Sequence, residues 1–334
     1  MLYEIPNLKH IDVQSIKEAI FWLHEYGTKA KVIAGGTDLL SLIKDRLEVP
    51  EVLVNIKPII QMKGITYDKK QGLKIGAAVT LHQLQSSEVI EKIFPILGIA
   101  ARHIGTNQIR NMGTIGGNIF QRPQCVYFRN PDFLCRKKGG DRCYAMTGEH
   151  RDHYAIMEYG KCAMAHPSDM APPLIALKAK AIIAGRDGVR QAPLEDLFLR
   201  SDHSLEIDLQ PDELLVAFQI SNLKEQIFQC FFKHRIRKSF DFALASIAVS
   251  ARISDKVCED IRIVIGGVAP IPYMHSKVLN ILRGKKLTRE IVLQAAEASV
   301  EGARPLPMNR YKIDVVKALV ERALISLLGT RDEE

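Results

Sequence analysis

The sequence has no apolar run long enough to cross a membrane. Of its 334 residues, 47% are hydrophobic and 25% are charged, which is ordinary for a globular protein. The longest apolar runs are far below the ~20 residues that a span requires. Residues 1–6 also lack the basic and apolar segments of a secretory signal. We therefore expect a cytoplasmic protein, periplasmic only if a partner carried the export signal.

Cysteine is also scarce, and six residues in a chain of this length are too few for a disulfide scaffold. Four of the six nevertheless fall between positions 125 and 162, with gaps of nine, seven and eighteen residues. No pair has the short spacing of a zinc knuckle. In a reducing compartment, clustered cysteines are typical of metal ligands or catalytic groups.

No concentrated charge or catalytic constellation is present. The net charge of +8 comes from bases spread along the chain, and the densest group, residues 136–138, is short. Aromatic and basic residues do not alternate on any one element, which disfavours a nucleic-acid interface. No hydrolytic triad or pair of catalytic carboxylates is evident, so no catalytic residue is predicted within this chain.

The hydrophobic periodicity indicates an α+β protein with three parts. Residues 1–57 alternate strands and helices, and residues 58–222 form a second unit of the same kind. Residues 88–103 are predicted to be largely helical despite Pro95. Residues 223–334 begin with strands and end with three helical segments. Residues 121–166 have little periodicity, and a stretch this long needs something to order it.

The sequence contains two glycine runs that could bind phosphate. Gly35-Gly36-Thr37 follows the strand at residues 31–34, and a second run extends from Gly113 to Asn118. Glycines allow backbone amides to approach a phosphate closely, and two such loops could hold the two phosphates of a dinucleotide. Neither run matches the Rossmann or P-loop pattern.

The four clustered cysteines allow three interpretations: an iron–sulfur cluster, structural zinc, or unligated thiols. Iron–sulfur clusters require four thiolates but tolerate irregular spacing. Unligated core cysteines are expected on apolar segments, whereas these lie among charged residues. The spacing favours iron–sulfur, with the other two left open. Cys230 and Cys258 stand alone and are predicted to be small buried residues.

Several segments together resemble the flavin-binding (medium) subunits of molybdenum hydroxylases, the xanthine dehydrogenase family. They occur in the family's order along essentially the whole chain, at residues 34–39, 108–118, 167–172, 232–243 and 265–270. The resemblance implies two N-terminal α/β subdomains of the FAD-binding PCMH/VAO type. It also implies a C-terminal antiparallel sheet with helices, of the CO dehydrogenase flavoprotein C-terminal type.

The resemblance also implies roles for individual residues. The two glycine loops would bind the FAD diphosphate and ribityl chain, Asp169 would bond the flavin, and Leu215 and Lys233 would approach the isoalloxazine. Ile104 would lie near the cofactor. The full set of implied FAD-binding residues is Val32, Ile33, Ala34, Gly35, Gly36, Thr37, Asp38, Leu39, Ile104, Gly113, Thr114, Gly117, Asn118, Asp169, Leu215 and Lys233.

The segment between Asn118 and Asp169 is longer than in most of the family. It is similar to a subset whose flavin subunit carries an additional [4Fe-4S] cluster, the three-subunit aldehyde oxidoreductases and the 4-hydroxybenzoyl-CoA reductases. Residues 122–129 and 166–171 look closer to the aldehyde oxidoreductase form. The implied cluster ligands are Cys125, Cys135, Cys143 and Cys162.

The family further implies a large molybdopterin subunit that handles the substrate and a small [2Fe-2S] subunit, in an oligomer of heterotrimers. This chain would transfer electrons between FAD and the small subunit. A CoA-ester reductase subunit working in the reductive direction is one alternative. A zinc-bearing scaffold without flavin is an alternative of another class.

Overall fold

A computed structural model describes residues 7–200, 202–223 and 227–328. Its first unit is a parallel three-stranded sheet with the order β1-β3-β2. The central strand is an apolar run that is buried along its whole length, as is typical of a parallel strand covered on both faces. The Ser15 side chain caps the first helix by accepting from the N–H of Glu18. The elements are β1 (Lys9–Asp12), α1 (Ile16–Tyr26), β2 (Ala30–Ile33), α2 (Leu39–Lys44) and β3 (Val52–Asn55).

The second unit is an antiparallel five-stranded sheet with the order β4-β5-β8-β6-β7. The predicted helix over residues 88–103 is instead two helices that break at Phe94, because Pro95 begins the second one and has no N–H to donate backwards. The elements are β4 (Ile65–Asp68), β5 (Gly72–Gly76), α3 (Leu81–Gln85), α4 (Glu88–Ile93), α5 (Pro95–Arg102), α6 (Asn107–Met112), α7 (Ile115–Ile119), α8 (Val126–Arg129), α9 (Ala171–Ala176), β6 (Lys180–Gly185), β7 (Gly188–Pro193) and β8 (Leu214–Ile220).

The third unit packs helices on an antiparallel three-stranded sheet with the order β11-β10-β9. Its core is largely its own, while the first two units share another core. The elements are β9 (Phe228–His234), β10 (Ala245–Ser254), β11 (Val257–Gly266), α10 (Ser276–Leu282), α11 (Arg289–Ala298) and α12 (Lys312–Leu327).

The cysteine-bearing segment 121–166, which we call the insert, contains only α8, two single helical turns and one isolated bridge. It contacts both the first and the third unit. Cys125, Cys135 and Cys143 cluster with Leu42 of α2 in the first unit. At its other end, the N–H of Ile156 donates to the carbonyl of Val268 in the third unit at 2.8 Å. The insert is therefore ordered by tertiary contacts rather than by its own secondary structure.

The predicted α+β class is confirmed, with strands followed by helices in the last unit. The predicted domain boundaries at residues 57 and 222 stay predictions. In the part of the chain that the structure describes, no helix combines the length and apolarity needed to cross a membrane.

Candidate functional site

The two glycine runs lie against each other. A methyl group on Gly35 would lie only 2.0 Å from the carbonyl oxygen of Met112 and 3.0 Å from the Cα of Gly113. Gly36 has φ of +69°, a conformation that favours glycine. A methyl group on Gly113 would lie 3.4 Å from Thr37 Oγ1. The runs thus form one backbone surface with no room for side chains at their contact.

The second run also fixes the segment that contains the predicted aspartate. Thr114 Oγ1 accepts from the N–H of Gly117 at 3.1 Å and caps α7. The buried Asn118 side chain accepts from Ser168 Oγ at 2.7 Å and from the N–H of Met170 at 3.2 Å. One asparagine therefore holds both sides of the turn in which Asp169 lies.

Asp169 and Lys233 form a buried ion pair. The Asp169 Oδ2 to Lys233 Nζ distance is 2.6 Å, and the side chains are 5% and 0% exposed. Lys233 Nζ also donates to the carbonyls of His103 and Asp241 at 3.0 and 2.7 Å. His103 directly precedes Ile104, which is itself buried. Asp169 and Lys233 are thus brought together, Ile104 follows the residue whose carbonyl binds the lysine, and the lysine charge has a counter-charge within hydrogen-bonding distance.

The other predicted positions lie on the elements around this centre. Val32 and Ile33 end β2, Ala34 follows them, and Leu39 begins α2. Leu215 lies in β8 opposite Ile183 of β6, and its side chain is buried in the core that the first two units share. The hydrogen bonds and close backbone contacts that join the two glycine runs, Asp169 and Lys233 do not include Leu215.

The Asp38 carboxylate contacts the insert. Its Oδ1 accepts from the Arg129 guanidinium at 2.7 Å, and its Oδ2 accepts from the backbone N–H of Arg122 at 3.1 Å. The sequence indicated a role for Asp38 at the cofactor and gave no sign of these contacts. They link the first glycine run to the cysteine segment.

The four predicted ligands line a single cavity in the insert. All are free thiols, and Phe128 and Lys137 share the lining. Among the described residues, however, no three His, Cys, Asp or Glu side chains are grouped closely enough to hold a metal ion. Four thiols are the donor set that a thiolate-bound cluster needs. In this structure, however, the thiols are too far apart to bind one metal group together. The thiols of the cavity are Cys125, Cys135, Cys143 and Cys162.

The thiols differ in how readily they ionise. A hydrogen bond from Cys162 lowers the pKa of Cys143 to about 6, and the same pairing raises the pKa of Cys162. Burial raises the pKa of Cys125. The thiolate form is therefore favoured at Cys143 rather than at Cys162.

A chain of ion pairs runs from the first unit to this cavity and becomes more buried along the way. Lys31 pairs with Glu48 at 3.0 Å, and Glu48 pairs with Arg122 at 2.9 Å. Arg122 pairs with Glu206 at 2.9 Å, and Glu206 pairs with Lys137 at 2.9 Å. The last two side chains are about 3% and 2% exposed. The sequence shows Arg122 beside the first cysteine, but no local signal identifies the two glutamates.

A buried lysine joins the end of the insert to the third unit. Lys312 is 0% exposed, and its Nζ donates to the carbonyls of Tyr154 and Gly267 at 2.9 and 3.0 Å. Asn309 donates to the same Tyr154 carbonyl. Burial lowers the pKa of Lys312 to about 7, partly opposed by Asp152. In the sequence this lysine looks like an ordinary helix residue, and no local signal indicates its burial.

Comparison with known families shows which family the chain belongs to. Residues 6–222 match the FAD-binding domain of molybdopterin dehydrogenases, and residues 230–327 match the CO dehydrogenase flavoprotein C-terminal domain. The chain belongs to the FAD-binding medium subunits of the molybdenum hydroxylases, of the CO dehydrogenase and aldehyde oxidoreductase type. It is thus an oxidoreductase subunit. The family assignment predicted from the sequence is confirmed, whereas its finer assignment to the [4Fe-4S] subset is not.

Individual relatives cover almost the whole chain. The carbon monoxide dehydrogenase medium chain of Hydrogenophaga pseudoflava is 29% identical over 324 residues, 96% of each chain. The aldehyde oxidoreductase FAD-binding subunit PaoB of Escherichia coli K12 is 30% identical over 313 residues, 90% of this chain and 91% of PaoB. The solved carbon monoxide dehydrogenase from Hydrogenophaga pseudoflava that lacks the Mo-pyranopterin moiety superimposes with a TM-score of 0.79 at 27% identity, covering 98% and 99% of the two chains.

Proposed function

We propose that this subunit passes electrons between FAD and a small [2Fe-2S] subunit in a molybdopterin-dependent oxidoreductase. The observation that carries the proposal is the contact between the two glycine runs, together with the Asp169–Lys233 pair held beside the second run. FAD, when bound, supplies the redox chemistry, and the protein supplies position and charge. No hydrolytic or acid–base machinery is required of this chain.

The residues divide the binding task by their chemistry. The backbone of the two runs would hold the diphosphate and ribityl chain, because glycines without side chains let a ligand approach the backbone closely. Asp169 would bond the flavin, and Lys233 would bring a positive charge to the ring that gains negative charge on reduction. In this structure the Asp169 carboxylate partly neutralises that positive charge. Ile104 and Leu215 would provide apolar contacts.

We also propose that the insert holds a [4Fe-4S] cluster on its four cysteines. The supporting observation is that four thiols separated by up to eighteen intervening residues line one cavity, and four thiolates are the donor set that such clusters use. Because no three of these side chains are yet grouped as a ligand set, cluster insertion must draw them together. Of the relatives, PaoB is named an aldehyde oxidoreductase subunit, which favours an aldehyde over an aromatic CoA ester.

The partners follow from the same proposal. A large molybdopterin subunit would transform the aldehyde, aromatic or N-heterocyclic substrate, and the heterotrimers would associate further in the cytoplasm. The reductive alternative is a 4-hydroxybenzoyl-CoA reductase subunit. Co-purification followed by activity with an aldehyde and with an aromatic CoA ester separates the two.

The visible spectrum of the purified chain tests both cofactors. Flavin bands together with a broad shoulder that bleaches with dithionite are expected, with iron and acid-labile sulfide in equal amounts. A colourless protein that contains zinc would overturn the proposal in favour of the scaffold alternative. Flavin without iron would leave the electron-transfer function standing and remove the cluster.

Replacement of a single cysteine separates two roles for the cluster. If it relays electrons, Cys135→Ser should lose turnover while retaining FAD and the folded state. If it only holds the insert together, the same variant should unfold the insert, measured by limited proteolysis. Cys230→Ser is the matched control, because Cys230 is buried to nearly the same extent as Cys135 but lies in the core of the third unit, outside the cavity lining.

A further inference from the structure

Asp38 lies directly after the first glycine run, yet its carboxylate is occupied by the insert. Arg129 Nη2 approaches Oδ1 to 2.7 Å, and the Arg122 N–H approaches Oδ2 to 3.1 Å. The Asp38 side chain is about one-fifth exposed, as is that of Arg129. Both carboxylate oxygens are thus engaged in charge-assisted hydrogen bonds, which are stronger than neutral ones.

Arg129 also holds together the segment that contains the first cysteine, Cys125. Arg129 ends α8, and its N–H donates to the carbonyl of Cys125 at 2.9 Å. The same guanidinium donates to the carbonyls of Pro123 and Arg122, each at 2.9 Å. Segment 122–129 is therefore folded around one guanidinium, and Asp38 is the anion that holds that guanidinium.

The opposite end of α2 holds the same segment. Glu48, which follows the helix, pairs with the Arg122 guanidinium at 2.9 Å, while Asp38 at the start of the helix holds the Arg122 N–H. Residues on both sides of the short helix α2 therefore bind the insert. A shift of the first glycine run must move the segment that carries Cys125.

We propose that Asp38 is a positioning residue that couples the first glycine run to the cysteine segment, rather than a ligand that contacts the cofactor through its carboxylate. The inference rests on the proposed function for the identity of the two ligands. Because coupling between two sites is reciprocal, flavin at the glycine runs orders segment 122–129, and an ordered segment strengthens flavin binding.

Hydrogen exchange of segment 122–129, read by mass spectrometry, tests the coupling in the full chain stripped of flavin and then saturated with FAD. In the wild-type chain, FAD should slow exchange of this segment. In Asp38→Asn, which keeps the size of the side chain but loses its charge, exchange should be about tenfold faster without FAD, and FAD at saturation should no longer slow it. Asp132→Asn, an exposed carboxylate of the same insert, is the control and should respond like the wild type.

Arg129 provides an independent pair of variants. Arg129→Met should reproduce the loss of the FAD response, and Arg129→Lys, which keeps a cation for Asp38, should restore part of it. A merely structural role would not produce this split, because both variants lose the bond to Pro123. Iron and sulfide content should follow the same order, from wild type through Arg129→Lys to Arg129→Met.

Three outcomes would overturn the proposal. The first is a wild-type segment whose exchange does not change when FAD binds, and the second is a response retained in Asp38→Asn. The third is a weaker FAD affinity in Asp38→Asn with unchanged FAD affinity in Arg129→Met, since that result makes Asp38 a direct flavin ligand. If the wild-type chain binds no FAD, the proposed function fails instead, and exchange without FAD still tests whether Asp38 holds the segment.

Discussion

The glycine runs and the cysteine insert are held in place by different forces. At the glycine runs, backbone packs directly on backbone, so that a single methyl group on Gly35 would lie 2.0 Å from a carbonyl oxygen. The insert has little regular structure and is held by side-chain charge, through Asp38, Arg122 and Arg129. The glycine runs therefore depend on having no side chains at their contact, whereas the insert depends on ion pairs between particular side chains.

This difference determines how each region responds to change. Steric exclusion does not depend on pH or salt, because overlap costs the same in any buffer. Buried ion pairs become strongly unfavourable when one partner is removed, since the other charge is left in a poorly solvated place. We therefore expect the glycine runs to be sensitive to volume and the insert to be sensitive to charge.

The largest effect is expected for Gly35→Ala. The added methyl group must displace the Met112 carbonyl, which we expect to cost about 3 kcal/mol and to lower FAD content. Chemical unfolding and bound flavin per chain measure the two effects. Gly64→Ala is the control, because its methyl group would meet no heavy atom within 4 Å. Equal tolerance of both substitutions would show that the runs do not touch.

A somewhat smaller loss is expected for Arg122→Met. The variant keeps apolar contact with the Phe128 ring, over which the guanidinium lies at 4.9 Å, but removes the charge between Glu48 and Glu206. We expect a loss of about 2–3 kcal/mol, because each glutamate keeps one lysine partner. The double variant Arg122→Met, Glu206→Gln should lose less than the sum of the two single losses, because both changes remove the same ion pair. Losses that simply add would mean that the charge pairing does not hold the insert.

The same difference explains what could be predicted from the sequence. The glycine runs were identifiable because a backbone that excludes side chains selects glycine locally, and the family resemblance supplied the order of the segments. The irregularity of the insert was also visible as missing periodicity. Its restraint was not, because Glu48 and Glu206 are ordinary glutamates until the fold brings them to Arg122. Lys312 was missed for the same reason, since its burial arises from packing between units.

A pH-dependent effect is expected for Lys312, which holds the end of the insert. Its pKa is lowered to about 7 by burial, whereas in the unfolded chain it has an ordinary lysine pKa of about 10.4. Between these values the unfolded state binds more protons, so stability must rise with pH from about 7 to about 10. The slope due to this residue is at most about 1.4 kcal/mol per pH unit.

Lys312→Met should remove that slope while leaving the Gly267 carbonyl without its lysine donor and the Tyr154 carbonyl with only Asn309, at a cost of about 1–3 kcal/mol at high pH. Urea unfolding at pH 7 and pH 9 measures both quantities. The difference between wild type and variant should be larger at pH 9 than at pH 7. The opposite trend would show that the lysine is charged when buried.

The smallest effect is expected for Arg190, far from both regions in the β6–β7 hairpin. It makes two hydrogen bonds to Glu213, at 2.7 and 2.8 Å, but the arginine side chain is 47% exposed, so water and salt screen the pair. Arg190→Met should therefore cost no more than about 0.5–1 kcal/mol at low salt, and less at high salt.

Arg190 lowers the pKa of Glu213 below 4.5. The pair's contribution is thus present above pH 4.5 and is lost as the pH falls through the lowered pKa. Urea unfolding at pH 7, in low and in high salt, and again near pH 3 measures this, with Arg186→Met, on the turn of the same hairpin, as the control. A loss as large as that of Arg122→Met would show that charge is equally effective at the surface and in the insert, and the contrast between buried and exposed pairs would then have no basis.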